Sequence, residues 1–475
     1  MNYPKNVALM SAENLVSSLS ALSPVHYQRS SDWGIVSYTT AAGRRSLISP
    51  ATLALVLGPS PLSVPQRALD LDLAASWDAV SPDYRVAANR AGKDFYVYAV
   101  ANRGLICSAN ATVPAGYTAA TARKIAGFHC LYVDVGTIAG HTLTGFLAGD
   151  ILPASIWDLL HRPVCDPAGM VYSDQADLWV DIYLQSGTGA TTASVAGATI
   201  TDSRDWMSFV DDLAAVKKQL LSDGEFQIVA EGSNQKTNIA GSADPVITGG
   251  HRDTTGATAG TSTSAAAPST DISAAANPQS LTIDLNGTGP VVVSFAPAGL
   301  NTGALIAAAL QVAIRAAIPW AGGMTVTYGA TYVVSCHGSV GPSASVVISA
   351  GAPNDCAAAL KLGIANGGVE VAGNLGRRMV SNIGLEDCCG ALFQWLSDQS
   401  YQNDAAAYAG AFGYYTLPGN KGSLYRQGAF GDVKLVAGGY WTNGASCGSR
   451  SRYANNYRWS THPNIGSRGC ARRQG

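Results

Sequence analysis

The sequence predicts a mixed, β-rich chain: a small β-sandwich, a later host domain, and a ββαββα unit inserted into that host. Three observations predict it. Gly is abundant (52 of 475 residues), and Ala, Ser and Thr crowd the middle of the chain, a texture that suits strands and turns better than long helices. Period-two alternation recurs, as in "DFYVYAV" and "DLWVDIYL", the mark of strands. An Ala-rich stretch of helical period, "GALIAAALQVAIRAAI", stands between two hairpin-like segments.

Residues 1–60 carry a short helical pattern, "AENLVSSLSAL", before "GIVSYTTAAGRRSLISPATLALVL", which reads as strands broken by a Gly-Arg-Arg turn. Over 61–150, Phe95, Val97 and Ala99 alternate with Tyr96 and Tyr98 as on a half-buried strand. Turn signals "NRG" and "PAG" follow, and the expected result is the β-sandwich.

From residue 151 the texture changes. Leu178, Val180, Ile182 and Leu184 alternate against Trp179, Asp181 and Tyr183, a strand. Trp206, Phe209, Val210, Leu213, Val216 and Leu220 recur at helical spacing, with Asp or Ser as N-cap and Gly224 as the stop. In "EDCCGALFQWLSD", Leu392, Trp395 and Leu396 share one side of a helix or turn. Aromatic stripes of this kind read as core.

Between these pieces, "ATAGTSTSAAAPSTDISAAANPQS" reads as a small-residue linker. A hairpin with Asn-Gly at its turn follows in "LTIDLNGTGPVVVSFAP", then the Ala-rich helix, strands in "MTVTYGATYVVSC" and "ASVVISAG", and a last short helix in "DCAAALKLGI". Residues 257–375 are therefore expected to form an inserted domain, within a host made of 151–256 plus 376–475. Its few charges are Asp271, Asp284, Arg315, Asp355, Lys361 and Glu370.

Composition excludes several functions. A net charge of -2 with 13% charged residues leaves no basic stripe for nucleic acid. Hydrophobic residues at 47% exclude global disorder. No run of about 18 apolar residues occurs, so no membrane insertion is expected. The first residues lack the pattern of a secretory signal, and assembly in a cytoplasm is expected. Nine cysteines include no C-x-x-C pair, and Cys388 adjoins Cys389; buried free thiols are favoured over a disulfide framework or a zinc site. Seven histidines without H-E-x-x-H give metal hydrolysis no support. No metal and no cofactor are expected.

Five segments carry a resemblance: "YTAATARKIAGFHC", "SIWDLLHRPVCDPAGM", "LWVDIYL", "DGEFQ" and "GGYWTNGASCGSRSRYANNYRWSTHPNIGSRG". In this order they resemble the major tropism determinant family of tailed phages, the receptor-binding variable proteins diversified by a retroelement. The resemblance covers about residues 110–256 and 376–475. It implies a homotrimeric, non-enzymatic adhesin on the phage tail fibre, ending in a C-type lectin-like α+β domain. The implied partners are a bacterial cell-surface receptor (protein or glycan) and other tail-fibre proteins. The implied location is the virion tail tip, acting at the host cell surface after assembly in the host cytoplasm. Residues 1–60 would attach to the particle or trimerise.

Counted from the terminal glycines, the family's diversified positions fall on Tyr440, Thr442, Gly444, Ser446, Tyr453, Asn455, Asn456, Ser460, His462, Asn464 and Ile465. The implied frame is Gly438, Gly439, Trp441, Gly448, Ser449, Arg450, Gly466, Arg468 and Gly469. Physical chemistry supports the division. Glycines permit turns and close approach, and Arg450 and Arg468 offer planar forks for several carbonyls. Trp441 would be a buried anchor, pointing inward while Tyr440 points outward, as on a strand. Tyr, Ser, Asn and Gly between them are the residues antibody loops use for adaptable contact. Without the other segments, polar residues among glycines read as plain surface loops. Neither "EPN" nor "QPD" is present, and "WTN" replaces "WND", which argues against a calcium-bridged sugar site.

Two alternatives stand beside this reading. A polysaccharide depolymerase would need two carboxylates about 5 to 9.5 Å apart in a groove, and Asp177/Asp181 or Glu386/Asp387 are the candidates. A structural fibre or baseplate subunit would suit residues 1–60 and the insertion but leaves the terminal pattern unexplained.

Overall fold

The computed structural model describes residues 25–26, 37–39, 44–49, 53–57, 60–64, 68–78, 82–239, 243–253, 257–336, 344–373, 376–403, 413–416, 422–426 and 430–474. The chain divides into two compact units, Met1–His251 with Arg378–Gly475, and Arg252–Arg377. It is β-rich, with few helices. The helical pattern expected in "AENLVSSLSAL" lies outside the described residues.

In the first unit, an antiparallel sheet runs in the order Trp157–Asp158, Ala122–His129, Asp94–Val100, Gly104–Ser108. Its central strand is buried on both faces, not half-buried as the alternation predicts. Phe95, Val97 and Ala99 pack with Leu47, Leu69, Leu71, Trp77 and Tyr84. Tyr96, Tyr98 and Val100 pack with Trp157, Met170 and Trp179 on the other side. The second face is covered by residues far along the chain, so local alternation does not reveal its burial. Pairing also crosses both expected limits of the sandwich. Ser46–Ile48 pairs with Ala68–Asp70 across residue 60, and Trp157 with Gly127 beyond residue 150.

A second sheet stitches the C-terminus into the fold. Leu178–Asp181 lies between Met170–Ser173 and Gly469–Ala471, and Gln219–Leu220 pairs with the far side of that last strand. The predicted helix is present as Trp206–Ala215, with Asp205 Oδ1 accepting from Ser208 N at 2.7 Å. It does not reach Gly224. Lys217 takes a left-handed conformation (φ 61°), and a separate helix, Asp223–Val229, begins with a Ser222/Glu225 capping box. Gly224 sits in the first turn of that helix.

A six-stranded mixed sheet completes the unit, in the order Gly413–Thr416, Ser423–Arg426, Gly448–Asn456, Phe430–Gly438, Phe393–Asn403, Ile465–Gly466. In "EDCCGALFQWLSD", residues 388–390 form a turn, but Trp395 and Leu396 lie on the Phe393–Asn403 strand rather than on a helix. Leu392, Trp395 and Leu396 enter three different clusters rather than one stripe.

The second unit has its own core, built from Ile283, Leu285, Val293, Ile306, Leu310, Ile314, Tyr332, Val334 and Ile348 among others. Gln279–Leu285 pairs with Val291–Phe295 through the Asn286-Gly287 turn, both residues at positive φ, and with Val346–Ala350 on its other side. The helix Gly303–Ala317 is capped by Thr302, whose side chain accepts from Leu305 N. Two expectations fail here. The presumed linker supplies a strand, Thr261–Thr263, inside a four-stranded sheet with Tyr332–Ser335 and Val369–Val371 as neighbours. The last helix of the expected ββαββα pattern is absent. "DCAAALKLGI" forms turns that lead to Gly363 (φ 83°) and a short 3-10 segment, Ile364–Asn366.

Candidate functional site

The terminal segment is held by a buried frame. The Arg468 guanidinium is fully buried. Its Nη1 donates to the carbonyls of Asp181 (2.8 Å) and Ile182 (2.5 Å), its Nη2 to that of Glu386, and its Nε to Gln394 Oε1 at 2.9 Å. One planar fork thus satisfies carbonyls from two segments distant in sequence. Next to it, Gly469 donates its N–H to Asp181 Oδ2, and a Cβ there would stand 2.5 Å from that oxygen. Gly438 and Gly439 turn the chain with φ 95° and 84°. Added Cβ atoms would meet the Cys388 carbonyl oxygen at 2.4 Å and Cys447 Sγ at 2.8 Å, so neither position admits a side chain.

The rest of the expected frame is uneven. Gly448 is buried and Ser449 is half-buried, with its N–H on Gln235 Oε1 at 2.8 Å. Gly466 is buried on the short strand beside Phe393–Asn403, but an added Cβ would meet nothing nearer than 3.4 Å. Arg450 is exposed, not an inner fork. Arg452 fills that role unexpectedly. It is buried, donates Nη1 to the Ser449 and Ser451 carbonyls at 2.8 Å each, and pairs with Asp223. Trp441 is only half-buried, its ring edge-on to Tyr440 with centroids 5.1 Å apart. The fully buried tryptophan of this region is Trp395. Simple alternation fails at 440–441 because the chain leaves the Phe430–Gly438 strand there. Tyr440 makes one bridge to Ala391, and a turn closes with Tyr440 N on Asn443 Oδ1 at 2.9 Å.

Tyr440, Tyr453, Asn456, His462, Asn464 and Ile465 come together. With Phe393, Tyr414 and Asn443 they line a pocket of about 190 Å³. Buried Phe393 packs on two of them, 5.4 Å from the Tyr440 ring and 5.5 Å from the Tyr453 ring. Two of these residues are corrections. Asn456 and Ile465 are only 5% and 2% exposed, because one ends a central strand and the other pairs with Phe393. They form the pocket's inner wall, not an outer face. Thr442 (exposed) and Gly444, Ser446, Asn455 and Ser460 (half-buried) do not line it.

Sequence reasoning missed Phe393, Tyr414 and Asn443 as walls. It also missed the stack of Tyr457 on Trp459, with centroids 5.1 Å apart and planes 4° from parallel. Trp459 is 64% exposed. An aromatic pair at i, i+2 beside candidate contact positions is the signal that could have found it.

Comparison with known proteins adds ancestry to this geometry. Residues 72–158 match the family described as Mtd second domain. A tail fiber receptor-binding protein of Bordetella phage BPP-1 is 29% identical over 177 residues, 33% of this chain and 45% of that protein. The chain is related to the major tropism determinants. It thus aligns with less than half the length of that curated relative. The fold agrees as well. The U1 and I1 variants of the Major Tropism Determinant superpose over 94% of this chain and 85% of theirs, at 18% identity, with TM-scores of 0.51 and 0.52. The family match begins at residue 72, ahead of the segments from about 110 that carry the resemblance in sequence.

In this tropism-determinant relative, the candidate catalytic carboxylates serve the frame. Asp181 is buried against Lys218 Nζ at 2.6 Å. Asp177, exposed at φ 48°, accepts from Tyr172 Oη at 2.5 Å. Glu386 and Asp387 are both 1% exposed. Glu386 pairs with Arg378 and accepts from Gly250 N at 2.6 Å. Asp387 accepts from Gly249 N at 2.9 Å and from His251 Nδ1 at 2.8 Å. Burial pushes the Asp387 carboxyl up, but His251, Gly249 and Arg378 outweigh it and leave its pKa lowered. All nine cysteines are free thiols, eight of them buried. Among the described residues, no group of three or more His, Cys, Asp or Glu is placed to hold a metal ion, and no helix is long and apolar enough to cross a membrane.

Proposed function

We propose that the chain is a phage tail-fibre receptor-binding protein, a tropism determinant that grips a bacterial surface receptor through its C-terminal region and performs no catalysis. One observation carries this reading: six positions that the resemblance marks as diversified converge on a single pocket. The name of the Bordetella phage relative, a tail fiber receptor-binding protein, supports it.

On this reading the segments from about 151 to 256 and from 376 onward form a C-type lectin-like α+β domain, residues 61–150 the core of a β-sandwich, and residues 1–60 an attachment or trimerisation segment. The Arg252–Arg377 unit, close to the 257–375 insertion, is a separate domain with its own core. The frame contacts of Arg468, Gly438, Gly439 and Gly469 involve backbone and buried groups outside the diversified set. Retroelement-driven exchange of the pocket side chains would therefore leave the sheet's supports in place. A homotrimer at the tail tip, assembled in the host cytoplasm with other fibre proteins, would multiply a weak contact through effective concentration.

The test is adsorption. The purified full chain should bind saturably to cells of the strain its phage infects, and should block that phage. If it does neither, the reading is wrong. A reverse-transcriptase gene beside a near-copy of the terminal coding segment, differing at adenines, is the expected genomic companion of diversification.

A further inference from the structure

The 190 Å³ pocket has a lining of two chemical kinds. Phe393, Tyr414, Tyr440 and Tyr453 supply aromatic surface, while Asn443, Asn456, His462 and Asn464 supply amides and an imidazole. Among the described residues, no carboxylate, ammonium or guanidinium lines it. An apolar cavity of about 150 Å³ admits benzene, so this space has room for a six-membered ring.

The two kinds of lining decide what kind of ring fits. A phenyl group would satisfy the aromatic lining but would set hydrocarbon against the amides, and a buried polar group left without a partner weakens a complex. A pyranose suits both. Its axial C–H face lies on aromatic rings, and its hydroxyls donate and accept towards amides. An acidic sugar would find no fixed counter-charge among the lining side chains. A metal-bridged sugar would find no carboxylate among the described lining residues to hold the ion.

We propose that this pocket binds one neutral pyranose residue of a bacterial surface glycan, without a bridging metal ion. The proposal rests on the receptor-binding reading of the same region. Tyr440 and Tyr453 belong to the positions that the resemblance marks as diversified, whereas Phe393 and Tyr414 lie outside them. Part of the aromatic lining is therefore constant while part is retuned, which changes the preferred sugar without losing the ring site.

Saturation-transfer NMR on the full chain reads the pocket directly. The probes are the methyl glycosides of glucose, galactose, mannose and N-acetylglucosamine, the methyl glycoside of glucuronic acid as the charged control, and N-acetyltyrosinamide as the aromatic control. At least one neutral glycoside should receive saturation at its axial ring hydrogens, bind in the millimolar range, and persist in EDTA. Its affinity should fall about ten-fold or more in Tyr453→Ala and survive in Tyr453→Phe, with melting curves confirming that both variants are folded. The proposal is overturned if no neutral glycoside binds, if EDTA abolishes binding, or if N-acetyltyrosinamide binds better than every neutral glycoside. Cell adsorption by the same protein separates the two levels. Adsorption without glycoside binding overturns the sugar assignment alone, whereas a parent chain that does not adsorb overturns the receptor-binding reading beneath it.

Discussion

Lys218 Nζ lies 2.6 Å from Asp181 Oδ1, with side chains only 6% and 1% exposed. Asp181 also accepts the Gly469 N–H at 3.1 Å, so a single carboxylate ties the segment after the first long helix to the C-terminal strand. Removing one member of a buried pair leaves an uncompensated charge, which costs about 3–5 kcal/mol. Lys218→Met should therefore lower the urea midpoint sharply at neutral pH. Adding Asp181→Asn should recover most of the loss, because the neutral amide keeps an acceptor for Gly469 without an unpaired charge. A double variant no better than the single one would mean that the pair acts through packing of the Lys218 stem.

The Arg468 fork yields a second prediction. Arg468→Lys keeps the charge but cannot span the Asp181, Ile182 and Glu386 carbonyls together. Each buried acceptor left without a donor costs about 1–3 kcal/mol, so the variant should lose at least that amount in equilibrium unfolding. Arg450→Lys, at an exposed position, should change stability by less than about 0.5 kcal/mol.

Stability near neutral pH should report His251. Burial pulls its imidazole pKa down, but Asp387 and then Glu386 outweigh burial and leave it raised above 6.5, with Arg378 opposing them. A raised folded pKa gives a contribution fully present below the unfolded value of about 6.5 and lost as pH rises through the higher folded value. Asp387, lowered in the fold, contributes above its unfolded value of about 3.9 and loses that contribution as pH falls through its lower folded pKa. The parent's melting temperature should therefore drop upward from about pH 6.5, and His251→Asn should flatten that slope. An unchanged slope in the variant would place the titration elsewhere.

Frame and filling remain separable, though less cleanly than alternation along a strand predicts. Tyr440 and Tyr453 are half-buried on Phe393, so Tyr440→Ala with Tyr453→Ala should cost about 1–3 kcal/mol of stability. The same double variant should lose cell adsorption, since truncating an aromatic anchor often costs about 2 kcal/mol or more of binding. Trp395→Ala should cost about 3–5 kcal/mol through a core cavity, and half-buried Trp441→Ala about 1–2 kcal/mol. Thermal melts and adsorption of all three proteins distinguish these outcomes.

Where sequence reading succeeded, one local rule agreed with the tertiary environment. Of the Asp and Ser residues expected to offer a cap, Asp205 supplies it, and Asn286-Gly287 makes the expected turn. It failed where burial comes from afar. Tyr96 and Tyr98 look solvent-facing until Trp157 and Trp179 cover them. Leu392, Trp395 and Leu396 mimic a helical stripe because the strand they open is buried on both faces, which erases alternation. Within the site, Arg468 was legible because a fork between glycines suits crowded carbonyls. Arg452 was not, because Ser451 and Tyr453 flank it and no neighbouring glycine marks crowded backbone there.

The neck of the second unit supports a final prediction. In the first unit, the His251 carbonyl accepts from Met379 N at 3.3 Å, and the Met379 carbonyl accepts from Asp387 N at 2.7 Å. His251 is bound by Asp387 and Arg378 by the adjacent Glu386, so the ends left by excising Arg252–Arg377 are held close together without it. Joining His251 to Arg378 through a short Gly/Ser linker should preserve a cooperative melt, because closing a short loop between neighbouring ends costs little entropy. Cutting instead at Gly256 and Gly376 leaves residues of the removed unit as stubs and should give the same fold with no gain in stability. The first unit would also keep its pocket, since every described lining residue lies in Arg378–Gly475. Differential scanning calorimetry of the shortened chain, together with glycoside and cell binding, checks both claims. Loss of the cooperative transition in both deletions would mean that the first unit needs the second to fold. Retention of the transition with loss of cell binding alone would make the Arg252–Arg377 unit a contributor to receptor contact.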